Sequence, residues 1–262
     1  MKMTDVISIL AKRAGKVRQS YKNFINNPFQ ERTVHKLRVD CRKLRGIMNI
    51  LKKAMYKEDY EKLNRELKTI ALMISDLREI DVLTGLCEET AKRHPDMSHH
   101  FQEMFFYLND ERLKKMKTAL EDLEKEKSES KVDGVISRIA KLEFKQDYRA
   151  EADMTAFIHE RLEKKYKKLL ADYDAIGLKD YEHVHEVRKD AKKLRFGARY
   201  LGKLTGLDHK AISKEAKKIQ DEFGAVTDHH VNAAMLKDYA DAVDDEAIGN
   251  LFLKIRDFEQ RK

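Results

Sequence analysis

The chain has 262 residues, with 54 Lys and Arg against 46 Asp and Glu, which gives a formal net charge of +8. Only two Pro and 10 Gly, with 38% charged residues, argue against a fold of short strands and tight turns and favour long helices. No apolar run approaches the roughly 20 residues that a membrane-spanning helix needs. Residues 1–5 are too polar to begin a secretory signal peptide. Cys41 and Cys87 lie in apolar helical patterns without metal-ligand spacing, so we expect buried thiols in a soluble, cytoplasmic protein.

Apolar residues spaced at i, i+3, i+4 and i+7 predict an all-α fold. The first half is predicted to hold five helices, over about 4–26, 30–55, 59–77, 81–93 and 97–127. A bridging helix is predicted over 131–148. The second half is predicted to hold five more, over about 153–173, 181–204, 209–223, 228–240 and 246–259. Apolar positions that follow the second helix match those of the second half at an offset of 149 residues.

This repetition predicts two pseudosymmetric antiparallel helical bundles with a basic groove or pore between them, formed by internal duplication. We expect one domain over 1–262. Its first lobe covers about 1–128, a bridging segment covers about 129–150, and a second lobe covers about 151–262.

The pattern V-H-x-x-R-x-D-x-[RK]-K-L-R occurs twice, beginning at Val34 and at Val184. Between 34–53 and 184–203, 9 of 20 aligned positions are identical, mostly charged residues and leucine. A duplication kept only for folding usually retains its apolar pattern while surface charges drift. Because His and basic residues recur here in register, the pattern indicates a functional basic stripe.

The turn of about 100° per residue places apolar and basic positions of each motif helix on adjacent faces. The face predicted to point to the core carries Val34, Leu37, Cys41, Leu44, Met48 and Leu51, and in the second copy Val184, Val187, Ala191, Leu194, Ala198 and Leu201. The face beside it carries what we call the first ridge, His35, Arg38, Arg42, Arg45 and Asn49, and the second ridge, His185, Arg188, Lys192, Arg195 and Arg199. Lys36, Lys43 and Lys193 project about 80–100° to the other side and are predicted to be solvated.

Each ridge extends roughly 21 Å at a rise of about 1.5 Å per residue, which suits an extended polyanion better than a single phosphate. A ridge at the edge of a core usually lines a groove between helices, where walls of low dielectric strengthen the field. Arg binds phosphate oxygens in bidentate fashion, and His donates when it is protonated. A single basic helix face is usually ordinary solvated surface. Repetition in register, with no acid on either ridge, favours a binding site instead.

Further cations on the helices that precede the two motifs are candidates for the same site, with plain surface charge as the alternative: Arg13, Lys16, Arg161, Lys165 and Lys168. Acids in residues 78–82 and 227–231, at matching points after the motif helices, are predicted to cap the next helix. Alternatively, these acids pair with ridge arginines and orient them.

Catalytic signals are weak. Glu182 and His185 have the spacing of a metal-ligand pair in helical bundles, but the first copy has Arg32 in place of the Glu, so no metal site is predicted. The sequence has no P-loop, zinc-ligand spacing or nucleophile-elbow motif. We therefore predict no cofactor, no catalytic residue and no enzymatic activity.

The doubled H-x-x-R-x-x-x-[RK]-x-L-R helix, each copy followed by an acid-containing turn, resembles the CHAD family (conserved histidine α-helical domain) over about residues 4–259. The resemblance implies two pseudosymmetric helical bundles that bind inorganic polyphosphate along a basic central groove or pore, with some members at polyphosphate granules. By position it implies that both ridges contact the polymer. It leaves open a polyphosphate-metabolising enzyme as a second partner.

Non-enzymatic binding of inorganic polyphosphate is thus the first hypothesis. The alternatives are a nucleic-acid-binding helical protein and a metal-dependent phosphohydrolase that uses His35 and His185. The absence of Trp, of a stacking platform beside the ridges and of a recognition-helix pattern makes nucleic acid the weaker partner.

Overall fold

The computed structural model describes residues 3–176 and 180–260, and these ranges are built from α-helices joined by short turns. The helices are α1 Met3–Asn26, α2 Glu31–Leu51, α3 Lys57–Met73, α4 Ser75–Arg93, α5 Phe101–Lys125, α6 Ser128–Ala140, α7 Glu151–Ala175, α8 Tyr181–Leu201, α9 His209–Ala242 and α10 Glu246–Gln260. The 3₁₀ turns are Pro95–His100, Gln146–Tyr148 and Gly202–Leu204. The all-α prediction is confirmed, whereas the internal duplication and the groove stay predictions.

The two motif helices, α2 and α8, bury the faces that their apolar spacing predicts. All six apolar positions of the first copy are 0% exposed, and the six of the second copy are between 0% and 5% exposed. Each ridge therefore begins at the border of the core, which places basic side chains against tightly packed protein on one side.

Helices α2 and α8 pack directly against each other, and glycines allow the close approach. Gly46 and Phe196 hold equivalent positions in the two motif copies, and a Cβ on Gly46 would lie 3.2 Å from Cδ2 of Phe196. A Cβ on Gly197 would lie 2.5 Å from Cγ1 of Ile50 and 3.2 Å from Cδ2 of Leu162 on α7. The glycines thus set the distance between the two basic helices.

The other helices enclose this central pair. Helices α1 and α3 pack on α2, and α6 packs on α1 and α3. Helices α7 and α9 pack on α8, and α10 covers α9. The ridges therefore lie where the flanking helices α3, α4, α7 and α9 can contribute side chains.

The predicted break between 223 and 228 is wrong, because α9 is one continuous helix of 34 residues. Thr227 is fully buried, and its hydroxyl donates to the carbonyl oxygens of Phe223 at 2.9 Å and Gly224 at 3.2 Å. A residue typical of a helix start is thus satisfied inside the helix.

The boundary between α3 and α4 lies at Ile74, earlier than the predicted 77–81. Asp81 and Asp228 are consequently inside helices, so the prediction that these acids cap helices is wrong. Asp81 is 2% exposed and accepts from Nε of Arg112 on α5 at 2.8 Å. A buried ion pair between α4 and α5 stands where a cap was expected.

The predicted helix over 131–148 is too long, because α6 ends at Ala140. The chain then extends so that Phe144 forms an isolated antiparallel bridge with Met55, and Lys145 N donates to Ala54 O at 2.9 Å. Leu142 and Phe144 are 4% and 2% exposed. Alternate residues of an extended chain can both face the core, whereas residues two apart on a helix cannot. Helix α6 therefore ends at Ala140.

Candidate functional site

A cavity of about 410 Å³ lies between α2, α3 and α8, and both ridges contribute to it. Its lining residues are Arg42, Arg45, Gly46, Asn49, Tyr60, Asn64, His185, Lys189, Lys192, Lys193 and Phe196. The structure thus brings together five of the ten ridge residues, three from the first ridge and two from the second. No Asp or Glu is among the described residues that line this cavity.

The cations of the two ridges lie within each other's field. The pKa of Lys192 is lowered to about 8, first by burial and then by the charges of Arg188 and Arg42. The pKa of Arg42 is lowered, first by loss of surrounding water and then by Arg38 and Arg188. Because Arg42 belongs to α2 and Lys192 to α8, like charges from both helices repel one another across a shared space.

Two ridge arginines are held by neutral amides from neighbouring helices. Nε of Arg45 donates to Oδ1 of Asn64 on α3 at 2.9 Å, and Nη1 of Arg195 donates to Oε1 of Gln220 on α9 at 3.1 Å. An amide oxygen orients a guanidinium without neutralising its charge. Burial lowers the pKa of Arg45, which reflects the cost of keeping this cation partly desolvated.

The equivalent ridge residues Arg38 and Arg188 are anchored differently. Nη1 of Arg188 donates to the hydroxyl of Thr227 at 2.5 Å, and Nη2 lies 2.9 Å from Oδ1 of Asp228. Nη1 of Arg38 lies 3.4 Å from the carbonyl oxygen of Ser75. The pKa of Arg38 is lowered, first by burial, while Glu79 opposes that shift. Asp228 therefore orients a ridge arginine, as the alternative interpretation of the acids expects.

The ridge histidines are poor bases. The pKa of His35 is lowered by loss of surrounding water and then by Arg78 and Arg42, and that of His185 by burial and then by Lys189. Nδ1 of His185 is shielded from solvent and has no hydrogen-bond partner among the described residues. Burial and neighbouring cations thus disfavour the protonated form of both imidazoles.

The motif aspartates hold lysines on the other side of each helix. Lys36 and Lys43 lie 3.4 and 3.5 Å from the carboxylate of Asp40, and Lys193 lies 2.7 Å from Oδ1 of Asp190. The three lysines that were predicted to be solvated and not part of the ridges are thus ion-paired. Lys193 nevertheless reaches the lining of the cavity.

Sequence reasoning missed several residues of the site: Tyr60, Asn64, Arg78 and Lys189. Lys189 lies one turn after His185 and was detectable by helical spacing, but Val39 occupies its place in the first copy, so the repeat did not reveal it. Arg78 lies close enough to lower the pKa values of His35 and Arg38. Tyr60 and Asn64 come from α3, and only packing brings them to α2.

The remaining candidates lie at the periphery. Arg199 is exposed, and its guanidinium lies 5.8 Å from the ring centre of Tyr200. Nη1 of Arg13 donates to the hydroxyl of the same tyrosine at 3.2 Å. Lys16 is exposed on α1, whereas Arg161 and Lys165 are half-buried on α7. Lys168 is exposed and paired with Asp172.

A larger cleft of about 650 Å³ between α3 and α6 differs in charge. Arg138 lies 2.7 Å from Asp59 there, and Lys131 lies 2.5 Å from Glu126. Three acids, Asp59, Glu66 and Glu126, line this cleft beside its five cations, so it is a weaker anion site than the cavity between the ridges.

Within the described part of the chain, no helix is long and apolar enough to cross a membrane. The residues described there also contain no group of three or more His, Cys, Asp or Glu side chains arranged to hold a metal ion.

Fold and site together define an all-helical protein in which two helices with the same basic motif share a cationic cavity. The CHAD domain model matches residues 9–237, and the chain belongs to the CHAD family, which is associated with polyphosphate binding. No curated protein sequence matches the chain.

Two solved structures share the fold. PptA from Streptomyces chartreusis superposes with a TM-score of 0.71 at 13% identity, covering 98% of this chain and 95% of that one. The CHAD domain from the plant Ricinus communis superposes with a TM-score of 0.70 at 17% identity, covering 98% and 85%. At such identities the likeness establishes the fold alone.

Proposed function

We propose that this protein binds inorganic polyphosphate without enzymatic turnover, along the cations of both ridges. The observation that carries the proposal is the cavity between α2, α3 and α8, whose lining holds basic residues from both motif helices and no acid among those described. Bringing like charges together costs free energy in the unliganded protein, and a polyanion relieves that cost.

A long polymer fits this arrangement better than a single phosphate. The positive side chains continue from the cavity past Arg38 and Arg188 toward α4 and α9, so successive phosphates meet successive cations. Arginines held by Asn64 and Gln220 keep donors free for phosphate, since a guanidinium has five N–H groups. We also propose that binding takes place in the cytoplasm, at polyphosphate granules, where a polyphosphate-metabolising enzyme is a second partner.

The direct test reverses charge on both ridges. Arg42→Glu combined with Arg195→Glu is expected to lower affinity for long-chain polyphosphate by about a hundredfold or more, because two attractive contacts become repulsive. The affinity is measured by calorimetry, and circular dichroism checks that helicity is kept. Lys117→Glu on α5, at a residue whose side chain is 80% exposed, is the control and should bind like the parent protein.

Chain length is a second readout of the same proposal. Long-chain polyphosphate should bind far more tightly than pyrophosphate, since only the long chain reaches both ridges. Equal affinities for the two, or unchanged binding by the charge-reversal variant, would rule out the ridges as the site.

Nucleic acid is the competing partner. Tyr60 and Phe196 line the cavity but are each only 9% exposed, so they offer little ring surface for base stacking. Polyphosphate should therefore displace bound RNA or DNA, and the reverse displacement would favour nucleic acid. Phosphate release from polyphosphate with added Mg²⁺ or Mn²⁺, lost on His35→Ala or His185→Ala, would instead identify a phosphohydrolase.

A further inference from the structure

A second group of cations lies on the side of α8 that faces α7. A Cβ on Gly197 would touch Leu162, so α7 passes α8 at this level. Arg161 precedes that leucine, and Lys165 follows it by less than one helical turn. Lys193 of α8 pairs with Asp190 on this side while also lining the cavity. It therefore connects the cavity to α7.

Lys165 lies close to the carboxylate of Asp190 and to the charges of Arg161 and Lys193. The pKa of Lys165 is lowered, first by burial; Asp190 opposes the shift, and the charges of Arg161 and Lys193 add to it. Nε of Arg161 is shielded from solvent and has no hydrogen-bond partner among the described residues. Asp190 is paired with Lys193 and lies near Lys165, whereas no described partner satisfies Nε of Arg161, so Arg161 keeps a donor for an anionic ligand.

The first motif helix differs at the equivalent carboxylate. Asp40, the equivalent of Asp190, is 4% exposed and accepts from the hydroxyl of Ser20 at 2.6 Å, besides its two lysines. The side chain of Asp190 is 40% exposed. The side of α2 that faces α1 is therefore closed around its carboxylate, whereas the side of α8 that faces α7 is open.

We propose that the bound polyanion also extends from the cavity over α7, but not over α1, passing over Lys193 to Lys165 and Arg161. This inference rests on the proposed function and deepens it, because it assigns a direction to the chain and an additional binding segment. A ligand confined to the cavity does not reach α7, so these residues contribute only to the binding of long chains.

The test compares tripolyphosphate with long-chain polyphosphate. The double variant Arg161→Gln, Lys165→Gln is expected to bind the long chain about tenfold more weakly at low salt and tripolyphosphate unchanged. The dependence of log affinity on log salt concentration should fall by about 1.4 for the long chain, at about 0.7 per lost contact. The double variant Lys117→Gln on α5 and Lys167→Gln on α7 is the matched control, because it removes the same charge from side chains that are 80% and 72% exposed.

A variant that binds more tightly is a useful second test, because misfolding cannot explain a gain of affinity. Asp190→Asn removes the competing carboxylate and should strengthen long-chain binding severalfold, with a smaller effect on tripolyphosphate. The inference fails if the parent protein binds polyphosphate but the Arg161→Gln, Lys165→Gln variant binds long chains normally. It also fails if the Arg161→Gln, Lys165→Gln variant loses both ligands equally, or if the Lys117→Gln, Lys167→Gln control has the same effect. A parent protein that binds no polyphosphate would overturn the proposed function itself.

Discussion

At the scale of single residues, the site is defined by cations whose charged forms are disfavoured. Lys192 is the clearest case, because its pKa of about 8 results from burial beside Arg188 and Arg42. The ridge histidines are shifted in the same direction for the same reasons. A ligand that brings negative charge therefore raises these pKa values, so the protein takes up protons when the ligand binds.

The pH dependence of binding follows from Lys192. Affinity for polyphosphate should fall as pH rises through about 8, because the lysine becomes neutral, and it should increase below the ordinary histidine pKa as the imidazoles gain protons. Lys192→Arg keeps its charge and should flatten the decline above pH 8. Calorimetric titration of both proteins across this range is the measurement, and identical profiles would contradict the assignment.

The stability of the unliganded protein should change in the opposite direction. Between about 8 and 10.5, Lys192 is neutral in the folded state but still protonated in the unfolded chain. The unfolded state then binds more protons, so this residue increases the free energy of unfolding as pH rises. Urea unfolding at several pH values should show a steeper rise for the parent protein than for Lys192→Arg.

At the scale of helices, the separation of α2 and α8 controls the site. Gly46 and Gly197 let the two backbones approach, and the ridges face a common space because of it. Helix α9 contributes at two separate points, through Gln220 and through Thr227 with Asp228, because it runs unbroken along α8. A break at the predicted position would have uncoupled these two contacts.

Gly197→Ala should destabilise the protein by about 1–3 kcal/mol, since the added methyl group would lie 2.5 Å from Cγ1 of Ile50 in a packed interface. The better helix propensity of Ala, worth about 1 kcal/mol, offsets only part of this cost. Urea unfolding measures the change. Adding Ile50→Ala should cost less in the Gly197→Ala background than alone, and strict additivity of the two substitutions would argue against the contact.

At the scale of the whole molecule, the chain carries a net charge of +8, and five of its cations line the cavity where the two motif helices meet. The unliganded fold tolerates this repulsion because a continuous apolar core runs through both motif helices. Anything that binds the folded state and compensates the charge adds to its stability.

Long-chain polyphosphate should accordingly raise the midpoint of thermal unfolding more than the same amount of phosphate supplied as orthophosphate. At a ligand concentration about 100 times Kd, the stabilisation should be about 2.7 kcal/mol. The effect should shrink between about 50 and 200 mM salt, as expected for a site dominated by charge. The Arg42→Glu, Arg195→Glu variant should show little shift, and a full shift in that variant would place the polymer elsewhere.

The amino-acid sequence by itself determined the helical class, the buried faces of α2 and α8 and the two ridges beside them, because all of these follow from local spacing at 3.6 residues per turn. It also placed Cys41 and Cys87 correctly in the core. Only the tertiary structure decided which ridge residues share a cavity and that Asn64, Gln220 and Asp228 hold the arginines. Those contacts join residues that are distant along the chain, so they depend on packing. Thr227 does not begin a helix, because its hydroxyl donates to carbonyl oxygens within α9 and accepts from Arg188 on α8.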